Sequence, residues 1–487
     1  MRKLAEQEHK LFGLVSRAAF ANPFSPERVR LDLAITGQPE STPMQKRLEG
    51  VAAAVAGAVE KLRDQQRADI NLYLGEDRQL VRHTLLFAAY HRLRESFDRL
   101  IEEQVRTADE PCTVSFAADA LQELQYYGFT HEEACRYFAL FYQMRRAYHF
   151  IEQALVGTSP SMQQLRLDLW NNVFTYDIGL YEKYLWNRME DFSTLLLGET
   201  GTGKGAAAAA IGRSIFIPYH EKRHCFSESF TSLFIPLNLS QFSEALIESE
   251  LFGHRKGAFT GAVDDHKGIL EQCGQHSSIF LDEIGEVSAA VQIKLLQVLQ
   301  ERQFSRVGCH KKLRFQGRVI AATNRSIDEL RSAGTFRDDF FYRLCSDSIV
   351  VPPLRQRLQE DPAELDSLLA HVLRRMVGSP SEELVGIART VIRERLGRAY
   401  HWPGNVRELE QCVRRILLKR DYAGDQRAIE ADEPALLTRH IAAGTLDAQA
   451  LLSRYCGFLY KKYGTFEEVA RRTNLDRRTV KKYIASI

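Results

Sequence analysis

Cysteine is scarce, with 8 in 487 residues, and no pair is spaced Cys-x-x-Cys. That excludes a disulfide scaffold and fits a reduced, cytoplasmic chain. No large charge of one sign is present either. Lys+Arg number 65 and Asp+Glu 63, a net +2, so any nucleic-acid contact must come from a local patch. Long apolar runs are missing. The longest small-apolar stretch, Val51 to Val59, is far short of the roughly 20 residues that span a bilayer. The opening MRKLAEQEHK is charged and lacks the apolar centre of a signal peptide. Secretion and membrane integration are not expected. What remains is ample: 45% hydrophobic and 26% charged residues, ordinary for globular domains, in a length that suggests about three domains.

The first 150 residues read as helical. Leu86, Tyr90, Leu93, Phe97, Leu100 and Ile101 form a stripe of helical period. Thr130 to Glu133 has the form of a capping box. The helix it opens carries Tyr137, Phe138, Phe141 and Tyr148 on one aromatic face that could bury a partner or ligand. Gly157 to Ser161 reads as a short linker. From about residue 190 short apolar runs alternate with helical stretches: 194–197, 233–237, 278–281, 318–323 and 347–351. Five such strands at crossover spacing predict a parallel, helix-covered sheet. A helical region follows at 362–420, then an acidic, Ala-rich linker at 421–446, then a helical tail ending in a basic cluster.

Thr194–Leu197 runs into Gly198, Glu199, Thr200, Gly201, Thr202, Gly203 and Lys204. Strand, Gly-rich turn and helix form a phosphate cradle: backbone amides approach the phosphates, the helix N-terminus adds a positive field, and Lys204 neutralises charge. Gly205 stands where such loops usually place a Ser or Thr for Mg²⁺. About 80 residues on, an apolar strand ends in Asp282 and Glu283. The pair suits Mg²⁺ binding by Asp282 and activation of the attacking water by Glu283. Alone, each element leaves a bland alternative open, a glycine turn beside a surface lysine and a solvated strand end.

The run Gly257, Ala258, Phe259, Thr260, Gly261, Ala262, preceded by Glu250 to Lys256, resembles the AAA+ domain of sigma-54-dependent transcriptional activators, the bacterial enhancer-binding proteins. Residues alone say that two glycines make a mobile loop with Phe259 as an apolar tip, or a turn with its aromatic folded back. The resemblance implies that the loop engages the sigma-54 factor. It extends over about 155–420. It implies a sensor Asn at Asn324, arginine fingers at Arg337 and Arg343 reaching a neighbouring subunit's nucleotide, and a second sensor at Arg407 in Trp402–Leu409. It also implies that Asn238 restrains the catalytic Glu283. Two departures stand out: Gly205 where the family usually has Glu, which puts the hydrolysis rate in doubt, and Arg255 just before the loop.

Phe466 to Ile484 resembles the Fis-like helix-turn-helix that ends such activators. Val480 and Ile484 would hold the last helix down, leaving Arg477, Arg478, Thr479, Lys481 and Lys482 for DNA. Residues 461–487 hold 8 basic and 3 acidic side chains, net +5, which fits a phosphate-facing surface.

The expected fold is therefore α/β: a P-loop AAA+ domain with a five-stranded parallel sheet and a small helical lid, an all-helical N-terminal region and a C-terminal helix-turn-helix. The expected division is 1–154 as a helical regulatory domain, 155–355 as the ATPase core, 356–420 as the lid, 421–446 as a linker and 447–487 as the DNA-binding domain. The resemblance implies ATP and Mg²⁺, sigma-54 RNA polymerase holoenzyme and upstream enhancer DNA as partners, and a ring, expected as a hexamer. Two alternatives stay open: a remodelling ATPase acting on a different protein, and a DNA- and ATP-binding repressor or scaffold without turnover. His131 with Cys135, and His220, His224 and Cys225, are spaced to allow metal binding, but ordinary packing and surface roles are the expected reading. The signal sensed by residues 1–154 is not legible.

Overall fold

The computed structural model describes residues 2–379, 381–397, 400–424, 437, 441, 444 and 446–485. Six helices come first: α1 Glu6–Phe20, α2 Pro26–Thr36, α3 Met44–Asp64, α4 Gly75–Thr107, α5 Ala117–Tyr126 and α6 His131–Ala154. The Thr130 capping box is formed, its hydroxyl accepting from Glu133 N while the Glu133 carboxylate accepts from Thr130 N. The helices α7 Pro160–Phe174 and the short α8 Ile178–Leu180 lead to β1 Thr194–Leu197 and α9 Lys204–Gly212.

The central sheet is parallel, in the order β4, β5, β8, β1, β9, where β4 is Phe234–Asn238, β5 Ser278–Asp282, β8 Arg318–Thr323 and β9 Asp347–Val350. These five strands coincide with the five apolar runs to within a residue at each end. Helices cover the centre of the sheet: all six residues of β8 are buried, whereas the edge strand β9 is exposed at three of its four positions. Two ribbons not expected from the sequence are added: β2 Tyr219–His220 with β3 Cys225–Phe226, and β6 Gln303–Ser305 with β7 Lys312–Arg314. Helices α10 Glu244–Phe252, α11 Ile269–Gln272, α12 Ala289–Glu301, α13 Ile327–Ser332 and α14 Asp338–Leu344 complete the core. The lid comprises α15 Leu354–Glu360, α16 Glu364–Val377, α17 Glu382–Arg395 and α18 Asn405–Lys419. The tail is α19 Ala448–Tyr463, α20 Phe466–Thr473 and α21 Arg477–Ala485, packed around Cys456, Leu459, Val469 and Val480. The linker expected at 421–446 lies largely outside the described residues.

The linker expected at Gly157–Ser161 is not slack. Ser159 is fully buried. The amides of Thr158 and Ser159 donate to Glu364 Oε2 at 3.0 and 2.7 Å, and Ser161 N donates to Glu360 at 2.8 Å. Arg357 donates to both Glu364 Oε1 and Val156 O at 2.5 Å. Gly157 has φ +144°, and a Cβ there would meet the Glu364 carboxylate. The strap is tied to the lid by a buried ion pair.

Nor is the helical N-terminal region a separate body. Its apolar residues form one continuous core with Ala207 and Ile211 of α9 and with Phe226 and Phe230. Phe226 stacks on Tyr142 and Phe138 at ring separations of 3.9 and 5.8 Å. Much of the aromatic face of α6 is thus spent inside the chain. Tyr148 stacks on Phe24 at 5.4 Å. Helix α7 binds the base of the sheet: Arg318, buried at the start of β8, donates to Asn172 Oδ1 at 2.8 Å, and Asn172 Nδ2 donates to Thr194 Oγ1 and Asp347 Oδ2 at 3.0 and 2.6 Å. No helix among the described residues is long and apolar enough to cross a membrane.

Candidate nucleotide site and its surrounding motifs

The carboxyl edge of a parallel sheet is where an α/β fold opens a crevice, and the predicted chemistry gathers there. The loop after β1 turns through Gly201 (φ +80°) and Gly203 (φ +107°), conformations that favour glycine. Gly201 also lies against the lid, where a Cβ would stand 2.3 Å from Gly404 O. Lys204 opens α9 and is nearly buried. Its Nζ donates to Gly198 O and Glu199 O at 2.8 and 3.1 Å. Burial pushes its ammonium down, opposed by the nearby carboxylates of Glu283 and Asp282. Thr202 folds its hydroxyl onto Glu199 O at 2.9 Å. Gly205 is exposed, and a Cβ at this position would stand 4.0 Å from its nearest neighbour, a ring carbon of Phe280.

Asp282 ends β5 and Glu283 follows in a left-handed conformation (φ +58°). Burial raises the Glu283 carboxyl above the usual carboxylate range, so it holds a proton more strongly than a surface glutamate. Asn324, one residue past β8, joins the parts. Its Nδ2 donates to Thr200 Oγ1 at 2.9 Å and its backbone N to Glu283 Oε2 at 3.3 Å. Asn238 lies opposite Asp282 in the β4–β5 register. Its Oδ1 accepts from Ser240 N and Oγ at 3.0 and 2.7 Å. The expected restraint on Glu283 is not formed among the described residues, because this side chain caps its own turn. An open cavity of about 480 Å³ lies between Glu283, Asn324 and the 239–247 segment.

The lid reaches the loop through a residue whose role the sequence reading missed. Asn405 is fully buried. Its Nδ2 donates to Thr200 O and Glu199 Oε2 at 3.0 and 3.2 Å, and its Oδ1 accepts from Leu354 N at 2.8 Å. Arg355 grips the Glu199 carboxylate at 2.5 and 2.7 Å and holds it below the usual range. Arg407 packs its Cβ close to Gly201 and opposes the charge on Lys204. The signal for Asn405 was its place beside Arg407 in the Trp402–Leu409 run; its partner lies 206 residues away.

Arg337 is half-exposed and paired bidentately with Asp339 at 2.8 and 3.0 Å. Arg343 donates to Leu299 O at 2.8 and 3.0 Å. Within the single chain neither is brought to Lys204. The 257–262 loop is a compact turn closed by Gly257 N to Ala262 O at 2.8 Å. Its base is pinned by Arg255, which pairs with Asp265, while Lys256 N donates to Asp265 at 2.8 Å. Phe259 is not an outward tip. It is half-buried, edge-on to His254 at 4.9 Å. Thr260 and Gly261 are exposed, Ala258 is half-buried and Ala262 is buried. In the tail, Arg477, Arg478, Lys481 and Lys482 are exposed. Thr479 is half-buried and its hydroxyl donates to Asp476, whose carboxylate also accepts from Arg478 N at 2.9 Å to cap α21. Arg477 pairs with Glu467 at 3.0 Å. The possible metal groups dissolve into packing: His131 pairs with Glu221 at 3.0 Å, and Cys225 is buried in β3.

A five-stranded parallel sheet with a glycine loop, a buried lysine, a strand-end acid pair and a helical lid closing on the loop defines a P-loop ATPase domain of the AAA+ type. Residues 181–350 match the family described as the Sigma-54 interaction domain, and residues 360–444 the AAA+ ATPase lid domain. Relatives include the Nif-specific regulatory protein of Klebsiella pneumoniae, 42% identical over 261 residues, 54% of this chain and 43% of that protein. The anaerobic nitric oxide reductase transcription regulator NorR of Citrobacter koseri is 39% identical over 287 residues, 58% of this chain and 50% of NorR. Regulatory protein AtoC of Escherichia coli is 38% identical over 226 residues, 46% of this chain and 45% of AtoC. Residues 181–444 thus carry a sigma-54 interaction domain with its AAA+ lid, and over this part the chain is similar to sigma-54 activators. It spans about half the length of the relatives it matches. Among solved structures, NtrX from Brucella abortus is 20% identical with a TM-score of 0.39, covering 76% of this chain and 80% of that one.

Proposed function

We propose that this chain is a sigma-54-dependent transcription activator that hydrolyses ATP between the subunits of a ring, a hexamer by family resemblance, and uses the cycle to open promoters bound by sigma-54 RNA polymerase holoenzyme. The observation that carries the reading is the Asn324 bridge from Thr200 on the phosphate loop to Glu283 at the strand end. It couples the residue that would sense the terminal phosphate to the residue that would activate water.

Gly198 to Lys204 cradle the phosphates of ATP, with Lys204 neutralising their charge, and Arg407 approaches from the lid. Asp282 would hold Mg²⁺, which supplies further charge neutralisation on the phosphates. Glu283 takes the proton of the attacking water on its carboxylate, a task helped by burial that makes it more basic. Arg337 and Arg343 act on the neighbouring subunit's nucleotide. To do so Arg343 must leave Leu299 O and Arg337 must leave Asp339, so assembly replaces one set of partners by another. Asn238 takes part only if its Ser240 contacts open.

The 257–262 loop contacts sigma-54, with Thr260 and Gly261 already exposed and Phe259 released from His254 on engagement. Arg477, Arg478, Lys481 and Lys482 face enhancer DNA. The test is direct. Phe259→Ala and Thr260→Ala should keep most ATPase activity and abolish sigma-54-dependent open-complex formation. Normal promoter opening by both variants rejects the loop's role and favours an ATPase acting on a different protein.

A further inference from the structure

We propose that the outer face of the β6–β7 hairpin binds the phosphate backbone of promoter DNA, beside the 257–262 loop. The promoter as the source of the DNA rests on the sigma-54 reading, while the chemistry rests on the hairpin itself.

From Arg302 to Ile327 the chain carries seven Lys or Arg and no Asp or Glu. In the hairpin register Gln303 faces Arg314, Phe304 faces Leu313 and Ser305 faces Lys312. Side chains alternate across a strand. Phe304 and Leu313 therefore turn inward, onto a core shared with Leu295, Val298 and Leu299 of α12. Gln303, Ser305, Lys312 and Arg314 make the outer face, which holds no apolar side chain. The turn adds His310 and Lys311, both exposed.

Some of the positive charge here is already committed. Arg306 grips Glu271 at 2.6 and 2.8 Å, Arg302 donates to Gly317 O at 2.9 Å, Arg318 is buried in β8, and Lys294 pairs with Glu248 at 2.8 Å. The remainder is not. Lys312 has only Glu301, at 3.8 Å, and Lys311 and Arg314 have no ion pair among the described residues. All three are exposed. A surplus of cations on a polar face calls for a polyanion. Lys312 and Arg314 lie two residues apart on one strand, about 6.7 Å, close to the separation of successive phosphates along a nucleic-acid strand. A recess of about 260 Å³ opens beside them, and Gln297, Gln303 and Ser305 in its lining add hydrogen-bonding groups. Stable protein interfaces centre on buried apolar or aromatic anchors, and this face offers none. Protein–DNA interfaces are polar and strongly positive.

The hairpin is fastened to the loop. Val307 N donates to Gly253 O at 2.9 Å, and Arg255 N donates to Val307 O at 3.1 Å. A Cβ on Gly308 would stand 2.8 Å from Ala258 Cβ. Whatever surrounds the loop's target thus meets Lys311, Lys312 and Arg314 as well.

The experiment uses the full chain and has two arms. Three cysteines are not buried: Cys135, Cys309 and Cys345. With Cys135→Ser and Cys345→Ser, a photoreactive azidophenacyl group on Cys309 reports what the hairpin turn touches. In the first arm the labelled chain meets a duplex lacking any enhancer, without polymerase, at about 50 mM salt, where phosphate contacts are strong. DNA adducts should form and should fall at least fivefold when Lys311→Gln, Lys312→Gln and Arg314→Gln are combined. Adducts that are absent, or undiminished in that triple variant, overturn the proposal whatever the chain does with sigma-54. In the second arm the triple variant should keep parent ATPase activity and parent affinity for free sigma-54. It should form at least tenfold fewer open complexes, with a log–log salt dependence shallower by about 2–3. Lys311→Arg, Lys312→Arg and Arg314→Lys together keep the charge and should restore opening. Unchanged opening, or an equal loss of affinity for free sigma-54, overturns the proposal, the latter making the face a protein contact. A parent chain that opens no sigma-54 promoter refutes the activator reading instead, and the first arm then decides the hairpin alone.

Discussion

Arg146 of α6 donates from Nη1 to the carbonyl oxygen of Arg213 at 2.6 Å, just past the end of α9. Its Nη2 donates to Ile215 O at 2.7 Å, and Gln143 Nε2 to Ser214 O at 2.8 Å. A fully buried guanidinium therefore caps the helix whose other end is Lys204. A cation at a helix C-terminus also complements its dipole. The helix has nine residues, so the clamp sits only about 13 Å from the phosphate loop.

Replacing that guanidinium with an isosteric apolar chain leaves buried carbonyls unpaired, each worth about 1–3 kcal/mol. Arg146→Met should destabilise the chain by roughly 2–4 kcal/mol, read as a lower urea midpoint with unchanged m-value. A stability equal to the parent's rejects the clamp. The same packing makes a chain beginning at Ser159 unfit to fold. It would expose Ala207, Ile211, Phe226 and Phe230, which now share a core with α4 and α6. Aggregation on expression is the expected outcome, not an unleashed ATPase.

The strands, the phosphate loop, the acid pair and the 257–262 run were legible because their chemistry lies in contiguous residues with strong local periodicity. The union of the helical region with the core was not. Phe138, Tyr142 and Arg146 repeat on a helix face that looks the same whether it packs within its own domain or against another. Gly157 to Ser161 has the composition of a linker, and only Glu364, some 200 residues on, turns it into a tied strap. Asn405 and the Glu199–Arg355 pair were hidden for the same reason. Asn238 and Thr479 carry local partners that the motifs did not show: both are short polar side chains next to a turn, Asn238 accepting from Ser240 N and the Thr479 hydroxyl donating to the Asp476 carboxylate.

Lys204 and Glu283 should separate binding from chemistry. Lys204→Ala removes the one buried cation in the loop and should abolish detectable nucleotide binding in a fluorescent-nucleotide titration. Glu283→Gln keeps the shape and the contact to Asn324 N but cannot accept a proton. It should retain binding and lose at least about 100-fold in hydrolysis. Parent-like hydrolysis in Glu283→Gln would move the general base elsewhere.

Gly205 sits at the second position of α9, where an added Cβ would meet only a ring carbon of Phe280, at 4.0 Å, an ordinary contact. Glycine there forgoes helix propensity, and a carboxylate in the first turn complements the dipole. Gly205→Glu should therefore raise stability by about 0.5–1 kcal/mol, measured by urea denaturation. It should leave nucleotide affinity within about threefold, since position 205 is exposed. A loss of stability would mean that the exposed position is covered in the assembled protein.

His91 has the sharpest acid dependence. Both its ring nitrogens are buried without hydrogen-bond partners, and it packs against Phe87 and Tyr90 at 4.3 and 5.3 Å. Burial first, then the positive charges of Arg28, Arg94 and Arg145, pushes it down to about 3. The folded imidazole stays neutral, while the unfolded one protonates below about 6.5. The stability it contributes is thus fully present above pH 6.5 and is lost as pH falls from 6.5 toward 3. In that window one histidine approaches a slope of about 1.4 kcal/mol per pH unit. His83, pushed down to about 4, adds to the slope in the upper part of the same range. His91→Leu removes one titrating group and two unpaired polar atoms with little change in volume. At pH 7.5 it should be as stable as the parent or more so. Between pH 6 and 4 its unfolding free energy should decline less steeply, by close to one proton's worth. Chemical denaturation at half-unit pH intervals measures both slopes, and equal slopes would show that His91 is protonated within the fold.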